Sequence, residues 1–137
     1  RDLSVPTDSV GDWDLSAPVG VLAVDPQRPD TLYAGGSVGV LKSTDGGTSW
    51  YAVNSGLPGL PDVYGVRALV IDPQNSTTLY AAIAGKVFRS TDGAATWSEV
   101  TSGLTTLSVT ALAIDPSNST VYAGTYGGGM FAITFAP

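Results

Sequence analysis

Residues 43–50 read Ser43-Thr44-Asp45-Gly46-Gly47-Thr48-Ser49-Trp50, and residues 90–97 read Ser90-Thr91-Asp92-Gly93-Ala94-Ala95-Thr96-Trp97. Serine, threonine, aspartate, glycine and tryptophan recur at the same five places. The spacing describes a hairpin loop. An aspartate beside a hydroxyl residue accepts backbone N–H bonds inside its own loop. Gly46, Gly47 and Gly93 allow the positive φ that such a loop needs, and Ala94 is a departure there. Trp50 and Trp97 can each fold back and bury about 150–250 Å².

Working outward, each octet sits at the same offset from an apolar strand ended by Asp-Pro. The segments are Val19 to Asp25-Pro26, Val66 to Asp72-Pro73 and Val109 to Asp115-Pro116. Each is followed by a second run: Leu32-Tyr33-Ala34-Gly35, Leu79-Tyr80-Ala81-Ala82 and Val121-Tyr122-Ala123-Gly124. The aspartates are 47 and 43 residues apart, a period expected of propeller blades or a β-solenoid. In the second repeat, Val66–Ile71 reads as a buried inner strand, Thr78–Ala82 as the second, Lys86–Ser90 as the third and Trp97–Val100 as the fourth. Four short strands per repeat make a blade. The fold expected is all-β and β-propeller-like, with about three four-stranded blades per chain, completed by terminal strand exchange or by oligomerisation.

Together the octets and strands resemble the Asp-box (BNR) repeats of sortilin-type, xyloglucanase-type and sialidase-type β-propellers, over roughly Val19 to Phe131. The resemblance implies that Ser43, Asp45, Gly47, Trp50, Ser90, Asp92 and Trp97 are structural and lie away from any active site. It is specific for the repeat and not for a function.

Composition narrows the chemistry. The 137 residues carry six Lys or Arg against twelve Asp or Glu, a net charge of −6. An acidic surface repels phosphate backbones, so no nucleic-acid partner is expected. Cysteine and histidine are both absent, which removes disulfides, thiolate ligands and the commonest general base. No metal or cofactor is expected. The longest apolar stretch, Ala17 to Val24, is far short of the ~20 residues that cross a bilayer, so no membrane insertion is expected. Charged residues are only 13%, about half of the usual quarter, which suits a surface partly covered by something. A sialidase-like site needs an arginine cluster with a Tyr/Glu pair, but the arginines are Arg1, Arg28, Arg67 and Arg89, and the one glutamate is Glu99. A xyloglucanase-like site needs two facing carboxylates, and nothing pairs Asp30 with Asp62. The chain is therefore expected not to be an enzyme.

The ends of the chain read as incomplete. The third repeat stops at Met130-Phe131-Ala132-Ile133-Thr134-Phe135 without an octet. Asp8 and Trp13 near the start keep the five-residue spacing of Asp45 to Trp50. The organisation expected is an N-terminal closing or donated strand over 1–18, repeat one over 19–65, repeat two over 66–108 and a truncated repeat over 109–137. Leu3, Val5, Trp13, Met130, Phe131, Ile133 and Phe135 are the candidate assembly residues. Leu3 and Val5 alternate with polar residues, as a donated strand does. Met130–Phe135 is an apolar edge that would aggregate if left open. Closure within one chain, a ring of two chains and an open filament all remain compatible.

Asn75 and Asn118 head Asn-Ser-Thr sequons at equivalent turns and are candidate glycosylation sites. Tyr33, Tyr80 and Tyr122 recur and read as core. Tyr51, Tyr64 and Tyr126 do not recur and are candidates for a surface contact. The expected function is a non-catalytic, extracellular or cell-surface structural protein that associates with itself, a filament protomer being one form. A carbohydrate-binding propeller lectin and a fragment of a glycosidase or receptor propeller are the alternatives.

Overall fold

Strand formation follows burial. The computed structural model describes residues 19–37, 39–57, 65–100, 108–117 and 120–133. The first sheet contains β1 (Val19–Val24), β2 (Leu32–Gly36), β3 (Gly39–Ser43) and β4 (Tyr51–Ala52), antiparallel and in chain order. The second contains β5 (Val66–Ile71), β6 (Leu79–Ile83), β7 (Lys86–Ser90) and β8 (Ser98–Glu99), in the same order. The third contains β9 (Val109–Ile114), β10 (Val121–Thr125) and β11 (Gly129–Ile133). The β6 segment LYAAI is buried at every position, so it reads as an unbroken apolar run.

The sheets stack face to face with inner strands β1, β5 and β9 side by side, as neighbouring blades of a β-propeller do. The described part is a three-sheet fan with two apolar cores. The first lies between sheets one and two, where Tyr33, Val40 and Val53 meet Leu69, Ile71, Leu79, Phe88 and Trp97. The second lies between sheets two and three, where Ala68, Tyr80, Ala82 and Val87 meet Val109, Val121 and Ala123. The second sheet thus shows a branched-aliphatic and aromatic face to the first sheet and a tyrosine-centred, smaller face to the third.

Trp97 makes the tightest of these joints. Its indole Nε1 donates to the Val53 carbonyl of the first sheet at 2.8 Å, and its backbone N–H donates to the Ser55 carbonyl at 2.8 Å. Gly56 lets the chains come this close: a Cβ there would lie 2.1 Å from the Trp97 carbonyl oxygen. Smaller ties repeat along the row of Asp-Pro turns. Gln27 Nε2 donates to the Pro73 carbonyl at 3.4 Å, and Gln74 Nε2 donates to the Pro116 carbonyl. Burying an indole contributes about 4–6 kcal/mol at ~25 cal/mol per Å². One hydrogen bond contributes about 1 kcal/mol, so shape and area dominate this joint.

The third sheet has three strands among the described residues. The strand expected to complete it, Trp13–Ser16, lies outside them, as do Leu3, Val5 and Phe135. The candidate assembly stretch divides by face. Met130 is exposed, whereas Phe131 and Ile133 are half-buried against the second core.

Trp97→Ala is expected to destabilise the fold by about 3–5 kcal/mol. Trp97→Phe keeps most of the area but strands the Val53 carbonyl, so its expected cost is about 1–3 kcal/mol. Urea unfolding of the two variants checks both the size and the order.

Candidate functional site

The antiparallel order sorts the polar groups to two ends of the fan. One end gathers the turns after the inner strands and the two octet loops. The other gathers the β2–β3, β6–β7 and β10–β11 hairpins.

At the turn end Asp25, Asp45, Asp72, Asp92 and Asp115 are held by their own neighbours. Asp45 Oδ1 accepts from the Ser49 N–H and the Ser43 hydroxyl, both at 2.8 Å, and Oδ2 accepts from the Ser49 hydroxyl at 2.5 Å. Asp92 repeats the set with Thr96 and Ser90. The serines are buried, and each hydroxyl also accepts a backbone N–H at 2.9 Å, from Gly47 in one loop and Ala94 in the other. Ala94 reaches this place by adopting φ +76°, beside +91° at Gly47, so the substitution leaves the loop intact at some steric cost. Each loop is tied to the preceding turn by one backbone bond, Gly46 N–H to the Asp30 carbonyl and Gly93 N–H to the Thr77 carbonyl, both 2.9 Å. The two tryptophans differ: Trp50 Nε1 donates to Gly47 in its own loop, whereas Trp97 Nε1 crosses to the first sheet.

Asp25 and Asp72 are buried, and their Oδ1 atoms accept the Gln27 and Gln74 N–H groups at 2.8 and 2.9 Å. Asp115 accepts the Ser117 N–H and hydroxyl. The hydrogen bonds from Ser49 and Thr96, hydroxyl first and backbone second, hold the Asp45 and Asp92 carboxyls down at about 2. Groups so depressed carry no proton to give near neutrality and accept one poorly. Among the described residues no three metal-ligating side chains converge.

Lys42 and Tyr33 bridge the first sheet to the second loop. The Lys42 ammonium donates to the Gly93 carbonyl at 2.9 Å and lies 5.4 Å from the Tyr33 ring centre. Burial lowers the Lys42 pKa, and burial, then Asp25, pushes the Tyr33 phenol up to about 12.

The hairpin end is built differently. Each inner strand carries a bulge near its start: the register slips between Val19 and Val21, between Val66 and Ala68, and opposite Gly124/Thr125. The extra residues are Gly20, Arg67 and Thr110, at equivalent positions. A bulge re-aims a side chain out of the ladder. These three line a groove of about 420 Å³ between the inner strands, together with residues such as Leu22, Val70 and Leu112. Tyr126 stands at the same end, 85% exposed, on the β10–β11 hairpin, its N–H bonded to the Ser108 carbonyl at 2.9 Å. Glu99 is half-buried, with Lys86 3.9 Å away. The groove is not legible in the sequence, because a bulge depends on the partner strand. The only local signal was a polar residue, Arg67 or Thr110, inside an apolar run.

Of the remaining candidates, Tyr51 is exposed on β4, and Tyr64 and Asn118 lie outside the described residues. Asn75 is exposed, and its side-chain oxygen accepts the Thr77 hydroxyl at 2.7 Å. No helix among the described residues is long and apolar enough to cross a membrane.

Solved structures resemble this chain, among them three GH74 enzymes. A GH74 enzyme of Niastella koreensis superposes with a TM-score of 0.70 at 25% identity over 82% of the chain. An ancestral GH74 enzyme gives 0.63 at 24% over 83%. The GH74 xyloglucanase of Xanthomonas campestris gives 0.68 at 20% over 85%. The chain spans 19%, 17% and 21% of their lengths, respectively. No family model and no curated protein matches the sequence. These similarities establish the propeller type of fold. They also correct the expectation that the chain is not an enzyme, since all three are enzymes. That expectation rested on finding no histidine, cysteine or facing carboxylates within 137 residues. A chain spanning a fifth of an enzyme can belong to one without carrying its catalytic pair.

Stability is expected to fall in acid through these loops. The folded carboxyls titrate near 2, below their ordinary 3.8, so their contribution is complete above about pH 4 and lost as pH falls through 2. Asp45→Asn with Asp92→Asn is expected to lower the melting temperature at pH 7 and to flatten its decline between pH 4 and 2. Thermal melts across that range check it.

Proposed function

We propose that this chain is a propeller segment of a GH74-like glycoside hydrolase acting on a neutral glucan, and that its hairpin end forms part of the saccharide-binding surface. The observation that carries the reading is the superposition on the Niastella enzyme, 0.70 over 82% of the chain at 25% identity. The two octet loops, read as Asp-boxes, serve as struts at the opposite end.

Three features support it. Tyr126 offers an exposed ring face on which the apolar face of a sugar can stack. The bulged groove beside Arg67 and Thr110 offers donors to sugar hydroxyls. A net charge of −6 disfavours anionic polymers and costs nothing against a neutral one. A polysaccharide substrate is met outside the cell, so the reading implies an extracellular place of action.

The test is binding, because the segment spans about a fifth of the enzymes it resembles. Titration of the labelled chain with xyloglucan oligosaccharides is expected to shift backbone NMR signals around Arg67, Thr110 and Tyr126. Tyr126→Ala is expected to weaken binding roughly ten-fold, about 1.4 kcal/mol. Shifts confined to the octet loops, or none at saturating sugar, would contradict the proposal.

A further inference from the structure

The Asn75-Ser76-Thr77 sequon lies on the turn between β5 and β6, and its side chains divide between core and solvent. Ser76 is buried and donates its hydroxyl to Gln27 Oε1, on the first sheet's turn, at 3.1 Å. The Thr77 carbonyl accepts the Gly93 N–H at 2.9 Å. The middle residue and the backbone are thus anchored, while Asn75 and Thr77 are both exposed. Asn75 Oδ1 accepts the Thr77 hydroxyl at 2.7 Å and the Thr77 N–H at 3.3 Å. Every side-chain bond of Asn75 falls on that oxygen, so Nδ2 donates to nothing among the described residues.

The turn does not require asparagine. Asn75 N–H donates to the Asp72 carbonyl, and Thr78 N–H donates to the Asn75 carbonyl. In the first sheet Arg28 makes the same pair of bonds with Asp25 and Thr31. The sequence there runs Arg28-Pro29-Asp30, so the backbone frame forms without a sequon. In the third repeat a complete sequon returns as Asn118-Ser119-Thr120.

We propose that Asn75 is a site of N-linked glycosylation. The proposal rests on the extracellular place of action inferred above, because the sugar donor is met on the secretory route. Asn75 Nδ2 forms a bond to the anomeric carbon of an oligosaccharide carried on a polyprenyl diphosphate. The bond from that carbon to the diphosphate oxygen breaks, the polyprenyl diphosphate leaves with the electron pair, and the amide loses one proton. The fold gives up no hydrogen bond, since Oδ1 keeps both of its own. The sugar stands at the turn end, across the fan from Arg67, Thr110 and Tyr126. It hydrates the surface of a chain in which charged residues are only 13%.

The test is site mapping by mass spectrometry on the chain secreted from a eukaryotic cell behind a cleavable signal. The peptide containing Asn75 is expected to carry glycan mass that peptide N-glycosidase removes, leaving aspartate at 75. Thr77→Ala keeps the asparagine and the carbonyl that bonds Gly93, and it is expected to abolish that mass; circular dichroism melts verify that the variant folds. A bare Asn75 in the secreted chain overturns the proposal, and so does a sugar that persists in Thr77→Ala. Enzymatic removal of the glycan is expected to leave the xyloglucan titration unchanged. A bare chain that binds xyloglucan therefore overturns this proposal alone, whereas a glycosylated chain that binds none bears out the site and contradicts only the saccharide-surface reading.

Discussion

The closure of Trp97 under the chain that follows β4 is the contact on which the rest of the molecule depends. It ties the loop of one sheet to the end of another with two hydrogen bonds and a buried indole. A single four-stranded sheet with two-residue outer strands cannot bury both of its faces. Stacking buries them, and the Trp97 joint sets how the stack is registered. The inner strands are held side by side, and their bulges then open onto a common groove.

This stacking divides labour between the two ends of the fan. The turn end carries Asp25, Asp45, Asp72, Asp92 and Asp115, and each of these spends acceptors on its own loop or turn. Carboxylates used in this way stiffen backbone and are poorly placed for proton transfer. The hairpin end has an exposed aromatic ring and side chains turned out of the ladder. The proposed saccharide surface draws on that ring and on those side chains.

What could be read in advance followed the range of the interactions. The Ser-Asp-Trp loops depend on partners within a few residues, so their outline was visible in eight letters. Inner strands such as Val66–Ile71 were visible because both faces are apolar. The bulges at Arg67 and Thr110 were not, since register is a property of two strands. Trp50 and Trp97 share one motif, yet one bonds within its loop and the other reaches a neighbouring sheet. No local pattern separates them. Phe131 and Ile133 looked like Met130 in an apolar run, and only the pleat sends the first two inward. The link to enzymes was illegible for another reason: residues that would declare it need not fall within a fifth of a chain.

The central claim is that the sheets form one cooperative stack. Native-state hydrogen exchange tests it at two amides that bond between sheets: Trp97 N–H to Ser55, and Val109 N–H to Gly85. Both are expected to exchange with the same opening free energy as amides in the middle of β6, through global unfolding. Exchange of these two at far lower free energy, while β6 stays protected, would show that the sheets open independently and would contradict the account.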